Sequence, residues 1–190
     1  KTSQMEGEGT TWVSGFVALP DGQGQERLVG TYVKIQPPLT EVELGLCVWD
    51  DETARFRRHR ILWPRSDGAE RPLAPDGHPC FWVQPDGSRE ILFGDPFPRL
   101  RLPATFEAWE DPDQWTEISP EPYATQRDSG ERVRAHRGSI TWSAYRHRWV
   151  SVFTELGAAP SPLGAIWFAE SVTPFGPWED AIQVVNHKNY

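Results

Sequence analysis

Apolar and polar positions along the chain alternate in short runs, and a helical period is not sustained over any long stretch. The runs are rich in Val, Ile, Thr, Tyr, Phe and Trp, the residues that strands favour. Punctuated by Gly, Pro and Asp clusters, they predict strands over residues 11–19, 27–35, 42–49 and 56–62. A second group is predicted over 79–84, 89–94, 99–102 and 115–119, and a third over 139–145, 149–155, 165–171 and 178–185. Only residues 104–110 read as a helical turn, and residues 120–137, dense in charge, Pro and Gly, read as an insertion.

These twelve strands fall into a repeat. Pro20-Asp21-Gly22 leads into a strand carrying Gly30, and Pro85-Asp86-Gly87 leads into one carrying Gly94. Trp49, Trp109 and Phe168 follow one another at intervals of about sixty residues. Four-stranded units repeated at this period are the mark of a β-propeller. The fold class expected is therefore all-β, a β-propeller of four-stranded antiparallel blades spanning 10–64, 77–119 and 138–185 within one domain, 1–190. A pair of stacked sheets is the competing architecture, but it requires no such period. Three blades cannot close a ring whose smallest usual size is four, so the chain is expected to be part of a longer propeller.

Composition narrows the class further. With 190 residues the chain can bury a sizeable core. Its 16 Gly, 18 Pro and 10 Trp exclude a helical bundle, a coiled coil and a disordered tail. A net charge of -8 lacks the basic footprint of a nucleic-acid-binding domain. No apolar run is long enough to span a membrane as a helix. Cys47 and Cys80 form neither a CxxC motif nor a disulfide framework and read as buried thiols. There is no Gly-x-Ser-x-Gly nucleophile elbow, and Gly22-x-Gly24 is a turn with no helix behind it.

The stretch from Trp167 to Trp178, Trp-Phe-Ala-Glu-Ser-Val-Thr-Pro-Phe-Gly-Pro-Trp, resembles the outer-strand pattern of five-bladed propeller glycosidases of the arabinanase, xylosidase and invertase types. Thr31–Ile35, Gly77-His78-Pro79, Asp95-Pro96-Phe97-Pro98 and the whole of 138–185 extend the likeness, within a bacterial group of glycosidase-like propellers. The resemblance implies five blades, of which about three are here, and a carbohydrate ligand or substrate at a central funnel. It also implies an extracellular or periplasmic location, although no signal peptide is visible. Hydrolases of this superfamily carry carboxylates at the starts of their innermost strands. Here Gly77-His78-Pro79 and His136-Arg137-Gly138 stand at those places, so that catalytic set does not transfer.

Blade geometry nevertheless groups the candidates. First-strand starts, second-strand ends and inter-blade crossovers share one mouth. Asp95 and Glu155 are the carboxylates placed for acid and base work on a glycosidic bond. His78, His136, Arg137, Lys34, Tyr32, Arg99 and His187 are candidates for holding the sugar, or a phosphate in a phosphorolytic reaction, because guanidinium groups match such oxygens. Tyr32, Phe97 or Tyr190 could stack on a sugar face, while Trp12, Trp82 and Trp142 read as core. No cofactor is implied. His78, His136 and His187 together could hold a divalent metal, but no ligand spacing supports one. The readings that remain open are a glycoside hydrolase, a glycoside phosphorylase, and a non-catalytic carbohydrate-binding or protein-interaction propeller.

Overall fold

The computed structural model describes residues 5–188. The strands run β1 (Thr10–Pro20), β2 (Glu26–Gln36), β3 (Thr40–Asp50), β4 (Arg55–Pro64), β5 (His78–Val83), β6 (Arg89–Gly94) and β7 (Pro98–Pro103). A single helix, α1 (Phe106–Glu110), is followed by β8 (Thr116–Glu117), β9 (Tyr123–Gln126), β10 (Arg132–Ser143), β11 (Arg148–Glu155), β12 (Ala165–Ser171) and β13 (Trp178–Asn186). The fold is all-β, and its sheets are meanders in which each strand pairs with the next in sequence: β1-β2-β3-β4, β5-β6-β7-β8, and β10-β11-β12-β13.

Two differences from the sequence reading stand out. Residues 120–137, read as an insertion, carry β9 and the beginning of β10. β9 pairs antiparallel with β10 and parallel with β13, so the third meander closes into a five-stranded barrel. Trp109 also does not match Trp49 and Phe168, which both lie on third strands, because it sits in α1. Pro103 ends β7, and the Thr105 side chain then caps the helix by accepting from the Ala108 amide at 3.2 Å.

The chain divides into two compact units, residues 1–91 with 102–117 and residues 92–101 with 118–190. The first has Leu19, Val29, Leu44 and Leu46 in its interior, all fully buried. Tyr32 and Cys47 form a further cluster there with Met5, and Val13 packs against it. That places Val13, rather than its neighbour Trp12, against the core, and Trp12 is left 53% exposed. In the second unit, β12 alternates strictly, burying Ala165, Trp167, Ala169 and Ser171, as a pleated strand with one inward face must. Phe97, considered from sequence as a stacking ring, is instead buried. It lies flat on Trp178, centroids 5.1 Å apart at 13°, and meets Phe153 edge-on at 5.9 Å. Trp142, expected in the core, is 47% exposed and rests edge-on against Trp149. Both cysteines are free thiols, Cys47 buried and Cys80 partly so.

The two Pro-Asp-Gly turns are built alike. Asp21 Oδ1 accepts from the amides of Gln23 at 3.0 Å and Gln25 at 2.9 Å, and Asp86 Oδ1 accepts from the amide and hydroxyl of Ser88. These are Asx-turns, in which a carboxylate occupies the place of a backbone acceptor. The Gln25 amide foremost, helped by Arg27 and Gln23, holds the Asp21 carboxyl below its ordinary 3.8. The hydroxyl and amide of Ser88 do the same for Asp86. A carboxyl whose pKa is lower folded than unfolded stabilises the fold above the unfolded value, and that contribution is lost as the pH falls through the folded one. The midpoint of thermal unfolding should therefore drop on acidification below 3.8. It should drop less steeply in an Asp21→Asn/Asp86→Asn variant; equal slopes in the two proteins would contradict this origin.

Candidate functional site

In the second unit, the start of β10, the end of β11, the start of β12 and the end of β13 lie side by side, because Ala135 pairs with Glu155 and Ala165 with Asn186. Between Ala135 and Gly138 the register of β10 shifts. His136 and Arg137 are the residues of this bulge, a device that redirects side chains at strand ends. Thr154 holds the bulge from the facing strand: its hydroxyl accepts from the Arg137 amide and donates to the Arg137 carbonyl, both at 3.3 Å.

Asp95, directly after β6, fixes the same bulge from the other side. Its Oδ1 accepts from the Gly138 amide at 2.8 Å and its Oδ2 from Arg137 Nη1 at 3.0 Å. Both carboxylate oxygens are thus engaged within the fold, and the Arg137 side chain, 74% exposed, keeps most of its guanidinium in solvent. The first unit contains a counterpart. Thr31 follows Gly30 as Asp95 follows Gly94, and its hydroxyl donates to the Pro75 carbonyl at 2.7 Å, just ahead of β5. In these two repeats, then, the residue after the second strand's glycine ties down the run-in to the next repeat's first strand. Glycine at 138 is needed for this approach, because a Cβ there would lie 2.2 Å from the Val152 carbonyl oxygen.

Glu155, at the end of β11, is half-buried. Its Oε2 accepts from the Trp167 indole N–H at 2.9 Å, and Oε1 has no hydrogen-bond partner among the described residues. One oxygen is oriented and the other is available. Glu155, His136 and Arg137 therefore share one end of the third meander. His187, just past β13, reaches the same end, its amide donating to the Gly164 carbonyl at 3.1 Å. Arg99 lies exposed on β7, its carbonyl accepting from the Ile118 amide.

Tyr32 and Lys34, expected from sequence to hold a sugar, are instead 0% and 1% exposed inside the first unit. The Tyr32 hydroxyl donates to Glu43 Oε1 at 2.7 Å and accepts from Arg58 Nε at 2.9 Å. Burial, reinforced by Glu43, raises the Tyr32 phenol above its ordinary range. Lys34 Nζ donates to the Met5 carbonyl at 2.8 Å and to Thr11 Oγ1 at 3.2 Å, and burial lowers its pKa. Tyr32 and Lys34 stand two residues apart on β2 and so share one face of the strand, the face that is turned inward. His78 stands at the exposed start of β5, also in the first unit. Among the described residues, no group of three or more His, Cys, Asp or Glu side chains is placed to hold a metal ion. Tyr190 lies outside the described residues.

Three participants were missed in the sequence: Trp167, Thr154 and Gly138. Trp167 was legible in principle, since it pairs with Phe153, two residues before Glu155 on β11. The bulge that brings Thr154 and Gly138 into play leaves no mark in the hydrophobic pattern.

No family model matches the chain, and no curated protein matches it. Solved structures it is similar to include a GH43_1 enzyme from Xanthomonas citri complexed with xylose, at 12% identity and a TM-score of 0.46, covering 90% of this chain and 54% of that one. The same enzyme complexed with xylotriose gives the same values. An endo-1,5-alpha-L-arabinanase from Thermotoga petrophila in complex with TRIS matches at 14% identity and a TM-score of 0.46, covering 87% of this chain and 39% of that one. The chain thus spans about half or less of the length of each. No helix among the described residues is long and apolar enough to cross a membrane.

Two substitutions separate scaffold from site. Gly138→Ala should cost about 1–3 kcal/mol, the usual penalty for forcing atoms into a packed contact, measured by urea unfolding; an unchanged midpoint would mean that the strands are not held as close as described. Tyr32→Phe, which leaves Glu43 and Arg58 one partner short, should cost about 1.5–3 kcal/mol in the same assay; an unchanged stability would mean that the buried hydroxyl is not held as described.

Proposed function

We propose that the chain is part of a glycosidase-like β-propeller that acts on, or holds, an oligo- or polysaccharide at the end of the third meander. The observation that carries this reading is Glu155: a half-buried carboxylate with one oxygen oriented by an indole N–H and the other without a partner among the described residues, at the same end of the meander as His136 and the exposed Arg137. The repeat of consecutive four-stranded meanders and the sequence likeness of 138–185 to propeller glycosidases support it. On this reading the meanders are blades of a longer ring, and the protein works outside the cytoplasm, where polysaccharides are met.

In such a site Glu155 takes the part of the reacting carboxylate. As a base it removes a proton from water as the water oxygen attacks the anomeric carbon and the bond to the leaving oxygen breaks; as a nucleophile it displaces that leaving oxygen itself, and water then cleaves the resulting ester to free the sugar. Arg137 offers N–H donors to sugar hydroxyls, or to phosphate where phosphate is the attacking species. On this reading His136 gives a proton to the leaving oxygen. Asp95 then serves as a positioning residue, holding Arg137 and the β10 bulge in register. A second reading has a specific observation behind it. Two-carboxylate hydrolysis needs a second carboxyl group able to exchange protons with the substrate, and Asp95 has both oxygens engaged within the fold. That favours saccharide binding without turnover.

Product analysis against an oligosaccharide panel, with and without phosphate, decides between these. Turnover abolished by Glu155→Gln, and weakened by Asp95→Asn through a lower kcat with an altered pH profile, is the expected result for an enzyme. Release of a sugar phosphate only when phosphate is present identifies a phosphorylase. Saccharide binding without turnover, weakened by Glu155→Gln, would establish the binding reading. Absence of both binding and turnover would overturn the carbohydrate assignment.

A further inference from the structure

The Gly176-Pro177-Trp178 turn borders a cavity in the second unit, of about 330 Å³, between β9 and the start of β13. It is within the size range of small-molecule sites. Its wall is aromatic, with Tyr123, Phe175 and Trp178, and its rim carries the exposed hydroxyl residues Ser119 and Thr125. Trp178 is 3% exposed, and its indole N–H is buried without a hydrogen-bond partner. Buried N–H groups in folded proteins are nearly always paired; this one is enclosed by the fold, so its signal reports on the cavity wall without touching a ligand. Phe97 already covers one face of the Trp178 ring.

The charges at this cavity cancel. Arg132 is ion-paired to Glu121, and its guanidinium lies 4.4 Å from the centroid of the Tyr123 ring. Tyr123 is thereby fixed in place, and no net charge is left to attract an ionic ligand. The partly exposed rings of Tyr123 and Phe175, which can cover apolar C–H faces, and the hydroxyl partners at the rim together describe a ligand both hydroxylated and amphipathic. A neutral sugar has this chemistry: hydroxyls around its edge and C–H groups that lie against aromatic rings.

We propose that this cavity is a second saccharide site, separate from Glu155, which binds a neutral sugar unit without transforming it. The choice of ligand class rests on the carbohydrate reading given above, and the site would hold a polymeric substrate at a second point. Linking two sites on one chain raises the effective concentration of sugar at each.

The two tryptophans provide separate reporters, Trp167 for the Glu155 end and Trp178 for this cavity. We would follow both indole N–H signals by NMR in 15N-labelled protein during titration with xylotriose, arabinotriose, cellotriose and maltotriose, with trigalacturonate as the charged comparison. At least one neutral trisaccharide should move the Trp178 signal, in the parent and in Glu155→Gln alike. Phe175→Ala should weaken that response by about tenfold and leave the Trp167 response in place. A Trp167 response with Trp178 unmoved overturns this site while the proposed function stands. A Trp178 response to trigalacturonate alone overturns the neutral-sugar assignment. Neither signal moving with any sugar overturns both readings. Because the parent's own Trp178 signal is measured, the outcome does not depend on the variant folding.

Discussion

The carboxylate of Asp95 holds the most consequential position in the molecule. One oxygen takes the Gly138 amide and the other the Arg137 guanidinium, so a single side chain fixes both the backbone and a side chain of the β10 bulge. Bulges let a strand redirect residues, but each leaves backbone groups that the ladder no longer pairs. Asp95 and Thr154 supply those missing partners from opposite sides. Thr31 does the simpler version of this in the first unit, where a hydroxyl and a carbonyl suffice. The exchange of Thr for Asp at equivalent places in the repeat marks where the scaffold also carries a charged group to its surface.

The scaffold was largely legible in the sequence. Pro-Asp-Gly turns, β-rich runs and the interval of about sixty residues located nearly every strand, since hydrophobic alternation and turn chemistry are local properties. β9 escaped notice because it is four residues long and lies in a charged, Pro-rich stretch; its place comes from pairing with strands on either side of it. Trp109 was misaligned for a related reason: a large aromatic reads the same in a buried helix as in a strand, and only the Thr105 cap distinguishes them.

The placement of the candidate residues was legible in part. Strand-end logic brought Glu155, His136 and Arg137 to one end of the third meander from positions far apart in the chain. It failed for Tyr32 and Lys34, because it asks where a residue falls along a strand and not which face of the sheet it occupies. Lys34 shows the difficulty: a lysine at a strand end reads as a surface cation, yet here its ammonium is buried on a carbonyl and a hydroxyl. Burying such a group is tolerable only with those partners in place, and they come from residues 5 and 11, which no local pattern connects to residue 34.

In the proposed function, the Asp95 tether presents the Glu155 end to a saccharide. Hydrogen exchange on Asp95→Ala, measured alongside saccharide binding at that end, tests it most directly. The account predicts that the Gly138 amide loses its protection and that binding at the Glu155 end weakens with it, while the core amides of β11 and β12 stay protected. A Gly138 amide that exchanges freely with binding undiminished would contradict it.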